Sequence, residues 1–301
     1  MEKLKNLSKV GILFLLIIFS FELKAIKLSE IKGMNLLENY SSIKDIEVNR
    51  IVDYENYDRN KQMNRVYVKG ETIPYTGMVI KKKSDKILGF AFYRDGKREG
   101  ESYSYNINGK LIVTRINHND ELVKVKAYHE DGTGMYHFYE QTNGNYGIKT
   151  IYYKNNQLAA KMNVQINHTG TTIKYINHGE TTVYEKNGKT WGILNYKNNK
   201  MYGLPQKLFK NGKLKYEYVA ASEKGGSDFE AMKYFKEYFD NSDRLKLDCD
   251  EQSKGRWHCR EYSKNGQLKN EFTSPTFALQ IKRDNSYWTN VFLGIWNILI
   301  P

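Results

Sequence analysis

The sequence predicts an all-β protein, on three observations. Twenty-four tyrosines stand beside 23 glycines in 301 residues; aromatic residues favour strands, and glycine favours the tight turns that join them. Asp95-Gly96, Asn108-Gly109, Asn187-Gly188 and Asn211-Gly212 supply the positive backbone angles of hairpin turns. A pattern of Tyr, three residues, then Gly or Asn recurs as Tyr105 to Gly109, Tyr128 to Gly132, Tyr152 to Asn156 and Tyr175 to Gly179, its second members 23, 24 and 23 residues apart. Steady reiteration marks a repeat architecture, in which stacked hairpins bury what one hairpin leaves exposed.

In chain order the first element is an export signal. Lys3, Lys5 and Lys9 precede an uncharged run from Val10 to Phe21. Its length suits the core of a signal peptide and is short for a membrane span. Cleavage is expected after Ala25, the alternative being an uncleaved amino-terminal anchor. Residues 26–65 form a lead segment, with a strand signal from Ile46 to Tyr54. Repeats fill 66–220. Glu101-Ser102-Tyr103-Ser104-Tyr105 and Lys149-Thr150-Ile151-Tyr152-Tyr153 read as short strands. A second recurring element, Gly96-Lys97-Arg98-Glu99-Gly100 and Gly188-Lys189-Thr190-Trp191-Gly192, varies to Asn199-Lys200-Met201-Tyr202-Gly203. Gly100, Gly147, Gly192 and Gly203 are expected to leave room for a neighbouring aromatic ring.

After a small break at Ser222 to Ser227, residues 228–240 carry a helix signal. Ser227 and Glu230 form a capping-box pattern, and Phe229, Met232, Phe235, Tyr238 and Phe239 follow at helical spacing. An outlying hairpin end recurs at Tyr262-Ser263-Lys264-Asn265-Gly266-Gln267-Leu268. The tail is apolar: Trp288, Phe292, Ile295, Trp296 and Leu299 share one helical face. It reads as a cap over the end of the repeat sheet, with membrane contact or partner docking as the alternatives.

Composition excludes several classes. A hydrophobic fraction of 40% with 27% charged residues is that of a folded chain, not a disordered one. Two cysteines exclude a disulfide-dense scaffold and a four-cysteine zinc module. Cys249 and Cys259 are the candidate disulfide of an exported protein, two free buried thiols being the alternative. The formal charge of +13 comes from scattered lysines with acids among them, which reads as solvated faces rather than a nucleic-acid interface. None of the six histidines makes a metal-ligand pattern, and neither a nucleophile elbow nor a phosphate-binding glycine loop is present. The acidic cluster Asp248, Asp250 and Glu251 matches no standard calcium loop. The expectation is therefore no enzyme, no cofactor and no metal.

Tyr93 through Gly100, with Tyr105 and Gly109-Lys110-Leu111, resembles the MORN repeat in its bacterial second variant, and Pro74-Tyr75-Thr76-Gly77 resembles the opening of such arrays in exported bacterial proteins. Asn156 and Asn199 stand where that pattern has glycine, and the unit around 159–175 is degenerate. The resemblance implies an elongated, twisted antiparallel sheet of successive hairpins. It implies a non-catalytic scaffold binding a protein, a glycan or a membrane surface, in adhesion or host contact; the alternative is an antitoxin-like partner that neutralises a toxin. Tyr105, Tyr152, Trp191 and Tyr196 are the candidate binding-groove aromatics, their competing role being an internal packing ladder.

Overall fold

The computed structural model describes residues 25–60, 64–169, 172–220, 232–253 and 255–275. Residues 1–24 of the expected export signal, the Ser222–Ser227 break and the apolar tail lie outside the described residues. The chain divides into two units, Met1–Glu121 and Leu122–Pro301.

In the first unit the strands are β1 Ile26–Lys27, β2 Glu47–Val48, β3 Ile51–Asp53, β4 Tyr57–Asn60, β5 Arg65–Val68, β6 Gly77–Lys83, β7 Lys86–Arg94, β8 Lys97–Tyr105 and β9 Leu111–His118. The all-β expectation holds. β6 to β9 form an antiparallel meander, and β3 pairs with β6 in parallel. The strand expected over Ile46–Tyr54 is two short ones, β2 and β3, followed by a 3₁₀ turn at Tyr54–Asn56. A four-residue helix, α1, spans Tyr40–Ile43.

The lead segment supplies what a lone meander lacks, a cover for its apolar surface. Successive residues of a strand point to opposite faces, so Met78 and Ile80 face one way and Val79 the other. Leu28, Met34, Leu37, Ile43 and Val48 pack with Met78, Ile80, Ile87 and Phe90. Val66 and Tyr75, with Tyr57 and Val68, pack with Val79 and Tyr93. The Pro74–Gly77 segment also braces the first repeat turn. The Tyr75 carbonyl accepts from Gly96 N–H at 2.8 Å, and Thr76 Oγ1 accepts from Asp95 N–H at 2.9 Å.

From the unit boundary onward the strands are β10 Glu121–Tyr128, β11 Met135–Asn143, β12 Tyr146–Tyr152, β13 Leu158–Thr169, β14 Thr172–Tyr184, β15 Thr190–Lys197, β16 Lys200–Met201, β17 Pro205–Lys210, β18 Lys213–Ala220, β19 Met232–Tyr238, β20 Leu245–Ser253, β21 Arg256–Tyr262 and β22 Leu268–Ser274. Each pairs antiparallel with the next, except that β15 pairs with both β16 and β17.

The repeat is written in its turns. At Asn106, Tyr153, Glu185 and Ser263 the residue's carbonyl accepts from the N–H three positions on, at 2.9–3.0 Å, and its own N–H donates to the carbonyl four positions on. The third residue after each has a positive φ: Gly109 at 77°, Asn156 at 64°, Gly188 at 80° and Gly266 at 89°. Asparagine takes the glycine's place at 156 because its short polar side chain tolerates the left-handed region.

Three expectations are corrected. Gly179, read as the fourth turn of the series, lies within β14 opposite Tyr196; a side-chain carbon there would stand 3.2 Å from Asn163 Cβ, so its glycine relieves a close approach between strands. The turn equivalent to Asn156 comes later, at Gly188, because β13 and β14 form a long hairpin of 12 and 13 residues. The helix expected at 228–240 is not present where that stretch is described: Met232–Tyr238 is strand β19, paired to β18 and β20, and residues 228–231 lie outside the described residues. Of the four glycines expected beneath aromatic rings, Gly147 alone has one. A Cβ at Gly147 would lie 2.5 Å from Tyr139 Cε2; Gly192 meets Leu208, and Gly100 and Gly203 face open space.

Cys249 and Cys259 are joined by a disulfide. They stand directly opposite on β20 and β21, with Cα atoms 4.2 Å apart, the spacing of a non-hydrogen-bonded antiparallel pair. Both are fully buried, beside Phe235 and Trp257. Replacing both by alanine is expected to lower stability by about 2–3 kcal/mol, the value for so short a closed loop, read from the urea midpoint.

Candidate binding site

The pairing registers of the second unit run straight across it. Val125 faces Tyr139, Tyr139 faces Lys149, Lys149 faces Met162, Met162 faces Thr181, and Thr181 faces Leu194. All six are buried. A second such row links Gln206, Tyr218, Phe235, Cys249, Cys259 and Phe272. On the opposite face the same strands align Lys207, Glu217, Lys236, Asp248, Arg260 and Glu271. Charge alternates at every step there, and opposite charges in register support a sheet. Arg260 Nη2 lies 3.5 Å from both Asp248 and Asp250, while Glu251 pairs with Lys233 at 2.6 Å. The period of two therefore puts Glu251 on the other face from its two acidic neighbours, and the sequence cluster is not a spatial one. Among the described residues, no group of three His, Cys, Asp or Glu side chains is arranged to hold a metal ion, and no helix is long and apolar enough to cross a membrane.

The buried row contains polar groups of two kinds. Gln206 is satisfied: its Oε1 accepts from Asn195 N–H at 2.7 Å, and its Nε2 donates to the Leu204 carbonyl at 2.8 Å. Lys149 is not. Only 7% of it is exposed, and no carboxylate among the described residues pairs with it. Its ammonium rests on the ring of Tyr175, 4.8 Å from the centroid. Tyr175 comes from the distal half of β14 and brings its ring within 5.3 Å of both Tyr139 and His137. The Tyr139 hydroxyl, also buried, has no hydrogen-bond partner among the described residues, and neither does the Thr181 hydroxyl two strands beyond Lys149. Burial raises Tyr139 to about 12 and lowers Lys149 to about 8, because loss of water disfavours both charged forms.

Lys149 is thus a cost to the fold at neutral pH. An unfolded lysine titrates near 10.5 and this one near 8. Between those values the unfolded chain holds a proton that the folded chain has released, so stability rises with pH across that window and the penalty is complete below it. Lys149→Met removes the charge and keeps the volume. It is expected to stabilise the protein by about 1–3 kcal/mol at pH 7, with the gain fading as pH approaches 10.5. Urea melts of both proteins across that range check it.

The four aromatics singled out in the sequence do not come together as one groove. Tyr105, in the first unit, is buried in its core, stacked at 6.3 Å on Phe90 with its hydroxyl 3.2 Å from Asn39 Oδ1; the packing role describes it. In the second unit Trp191 and Tyr196 are half-buried against the cluster around Leu194, Leu208 and Tyr218. Tyr152 is half-buried, its hydroxyl 3.3 Å from Thr150 Oγ1. Sequence reasoning passed over Lys149 because the alternation in Tyr146–Tyr152 has two apolar phases. Tyr146, Ile148 and Tyr152 outweigh Gly147 and Ile151, yet the chain buries the phase holding Gly147 and Lys149. The signal that would have found it is Gly147, whose missing side chain is filled by the Tyr139 ring.

No family model and no curated protein matches the chain. Among solved structures it is similar to a porin-like protein from Bacteroides uniformis, at 12% identity over 68% of this chain and 91% of that one, with a TM-score of 0.18. A superposition that loose carries no argument about either fold or function.

Proposed function

We propose that this chain is a non-catalytic, exported binding scaffold that engages a protein or an envelope or host surface through its hairpin sheet. The observation that carries the reading is the repeated hairpin: one turn geometry closes at Asn106, Tyr153, Glu185 and Ser263, and the reiterated residues serve chain reversal and packing. Architectures of this kind extend a surface unit by unit, and extended surfaces suit partners rather than small substrates. The export reading rests on Lys3, Lys5, Lys9 and the Val10–Phe21 run.

Fractionation of the native host, with protease shaving of intact cells and the intact mass of the chain, tests it. The expected result is a chain lacking residues 1–25 that is shaved from the surface or recovered from the medium. Full-length protein held in the inner membrane overturns the export reading. Turnover of peptidoglycan or lipid by the purified protein overturns the non-catalytic one. Co-purification with a small toxic protein encoded beside it replaces the surface partner with a neutralised toxin.

A further inference from the structure

Lys149 places a cation inside a sheet face with no counter-charge among the described residues. Groups on three neighbouring strands share its face of the sheet. β11 contributes His137 and Tyr139, β14 contributes Tyr175, and β13 contributes Met162, which is apolar. The charged side chains of neighbouring positions, such as Glu140 and Lys161, belong to the alternate phase of their strands. Two features therefore coincide. Among the described residues one ammonium has only the face of a ring as partner, and a ring face does not replace an anion. One fully buried hydroxyl, on the residue directly opposite in register, has nothing among the described residues to donate to. The ammonium and the ring that carries this hydroxyl border the same Tyr175 ring.

We propose that Lys149 is the anchor of a binding site for the carboxylate of a small organic acid, with the Tyr139 hydroxyl as the second donor. The charge selects the class. A single ammonium balances the one negative charge of a carboxylate, whereas a phosphate monoester carries about −1.5 to −2 and calls for further cations. Burial selects the size, since a side chain 7% exposed admits a compact group and not a polymer. This site is additional to the scaffold reading and does not rest on it.

The test uses the purified chain with 13C-labelled lysine, acetate as the probe and inorganic phosphate as the comparison. Acetate is expected to shift the Lys149 Cε resonance saturably and to raise the pH at which that resonance titrates. Because the charged form binds, affinity is expected to fall about tenfold for each pH unit above the free-state titration point. Lys149→Met, expected above to stabilise the fold, is expected to abolish the saturable response of the chain to acetate, followed by calorimetry. Tyr139→Phe is expected to weaken binding several-fold without lowering Tm, because the hydroxyl it removes has no hydrogen-bond partner among the described residues. A linear, non-saturating response of Lys149 to acetate overturns the proposal. So does phosphate binding as tightly as acetate, which marks an adventitious anion contact, and so does unaltered affinity in Lys149→Met.

Discussion

Phe235→Ala is expected to lower the stability of the second unit by about 3–5 kcal/mol, the range for emptying a buried phenylalanine site. Phe235 sits on β19 between Tyr218 of β18 and Cys249 of β20, and 3% of it is exposed. Tyr216 packs its ring 5.7 Å away. Around it Leu194, Leu208, Trp257 and the disulfide complete one cluster. The disulfide ties the neighbouring strand β20 to β21, so the surroundings have little freedom to collapse into the space, and the value belongs toward the upper end of the range. The neighbouring position is the control. Lys236 points to the other face, in the row of alternating charges, and Lys236→Ala is expected to change stability by about 0.5 kcal/mol or less. A large effect at 235 beside a small one at 236, in urea melts followed by circular dichroism, is the signature of a strand. Comparable losses at 232, 235 and 239 with no alternation would restore a helix.

Gly77→Ala is expected to cost about 2–4 kcal/mol. Gly77 opens β6 at φ 143°, a backbone angle that residues with a side chain rarely adopt. An added Cβ would lie 2.5 Å from the Arg50 carbonyl oxygen and 2.6 Å from the Tyr75 hydroxyl. Neither neighbour is free to withdraw. The Arg50 carbonyl accepts from Met78 N–H at 2.8 Å, within the join between β3 and β6. The Tyr75 hydroxyl lies 2.8 Å from the Met78 carbonyl and 3.0 Å from that of Arg50, so its one proton is shared between two acceptors. The same substitution at Gly100 meets no atom within 4 Å and leaves only the strain of its φ of 78°. Gly100→Ala is therefore the milder of the two, and the difference between their thermal midpoints measures the packing contribution at Gly77.

The two substitutions also separate what kind of information each segment carries. The hairpin turns were legible because their chemistry is local. Asp95-Gly96 and Asn211-Gly212 have positive φ at both central positions, whereas in Asn108-Gly109 and Asn187-Gly188 the glycine alone does. Asn156 fits the same rule although it departs from the glycine of the pattern. The stretch at 228–240 was misread because a short run rich in Phe and Tyr satisfies a helical and a strand period at once, and the hydrogen bonds that decide between them come from strands elsewhere in the chain. Gly179 was misread for a related reason. Counting residues locates a turn only while hairpins keep one length, and the β13–β14 hairpin is longer than its neighbours.

Lys149 shows the limit most plainly. A lysine between two apolar phases of a strand is assigned to solvent by any reading of hydropathy. Its burial follows from choices made on other strands: the Tyr139 ring needs the space above Gly147, which sets the phase of β12, and Tyr175 arrives from the far half of β14 to cover the ammonium. By itself the amino-acid sequence determined the all-β class, the repeated hairpins and the pair of cysteines, since each depends on residues within a few positions of one another or on composition. The tertiary structure decided the sheet phases, the pairing of Cys249 with Cys259, the strand at Met232–Tyr238 and the burial of Lys149. A strand's face is set by the register of its neighbours, and register is a property of pairs of segments that no single segment contains.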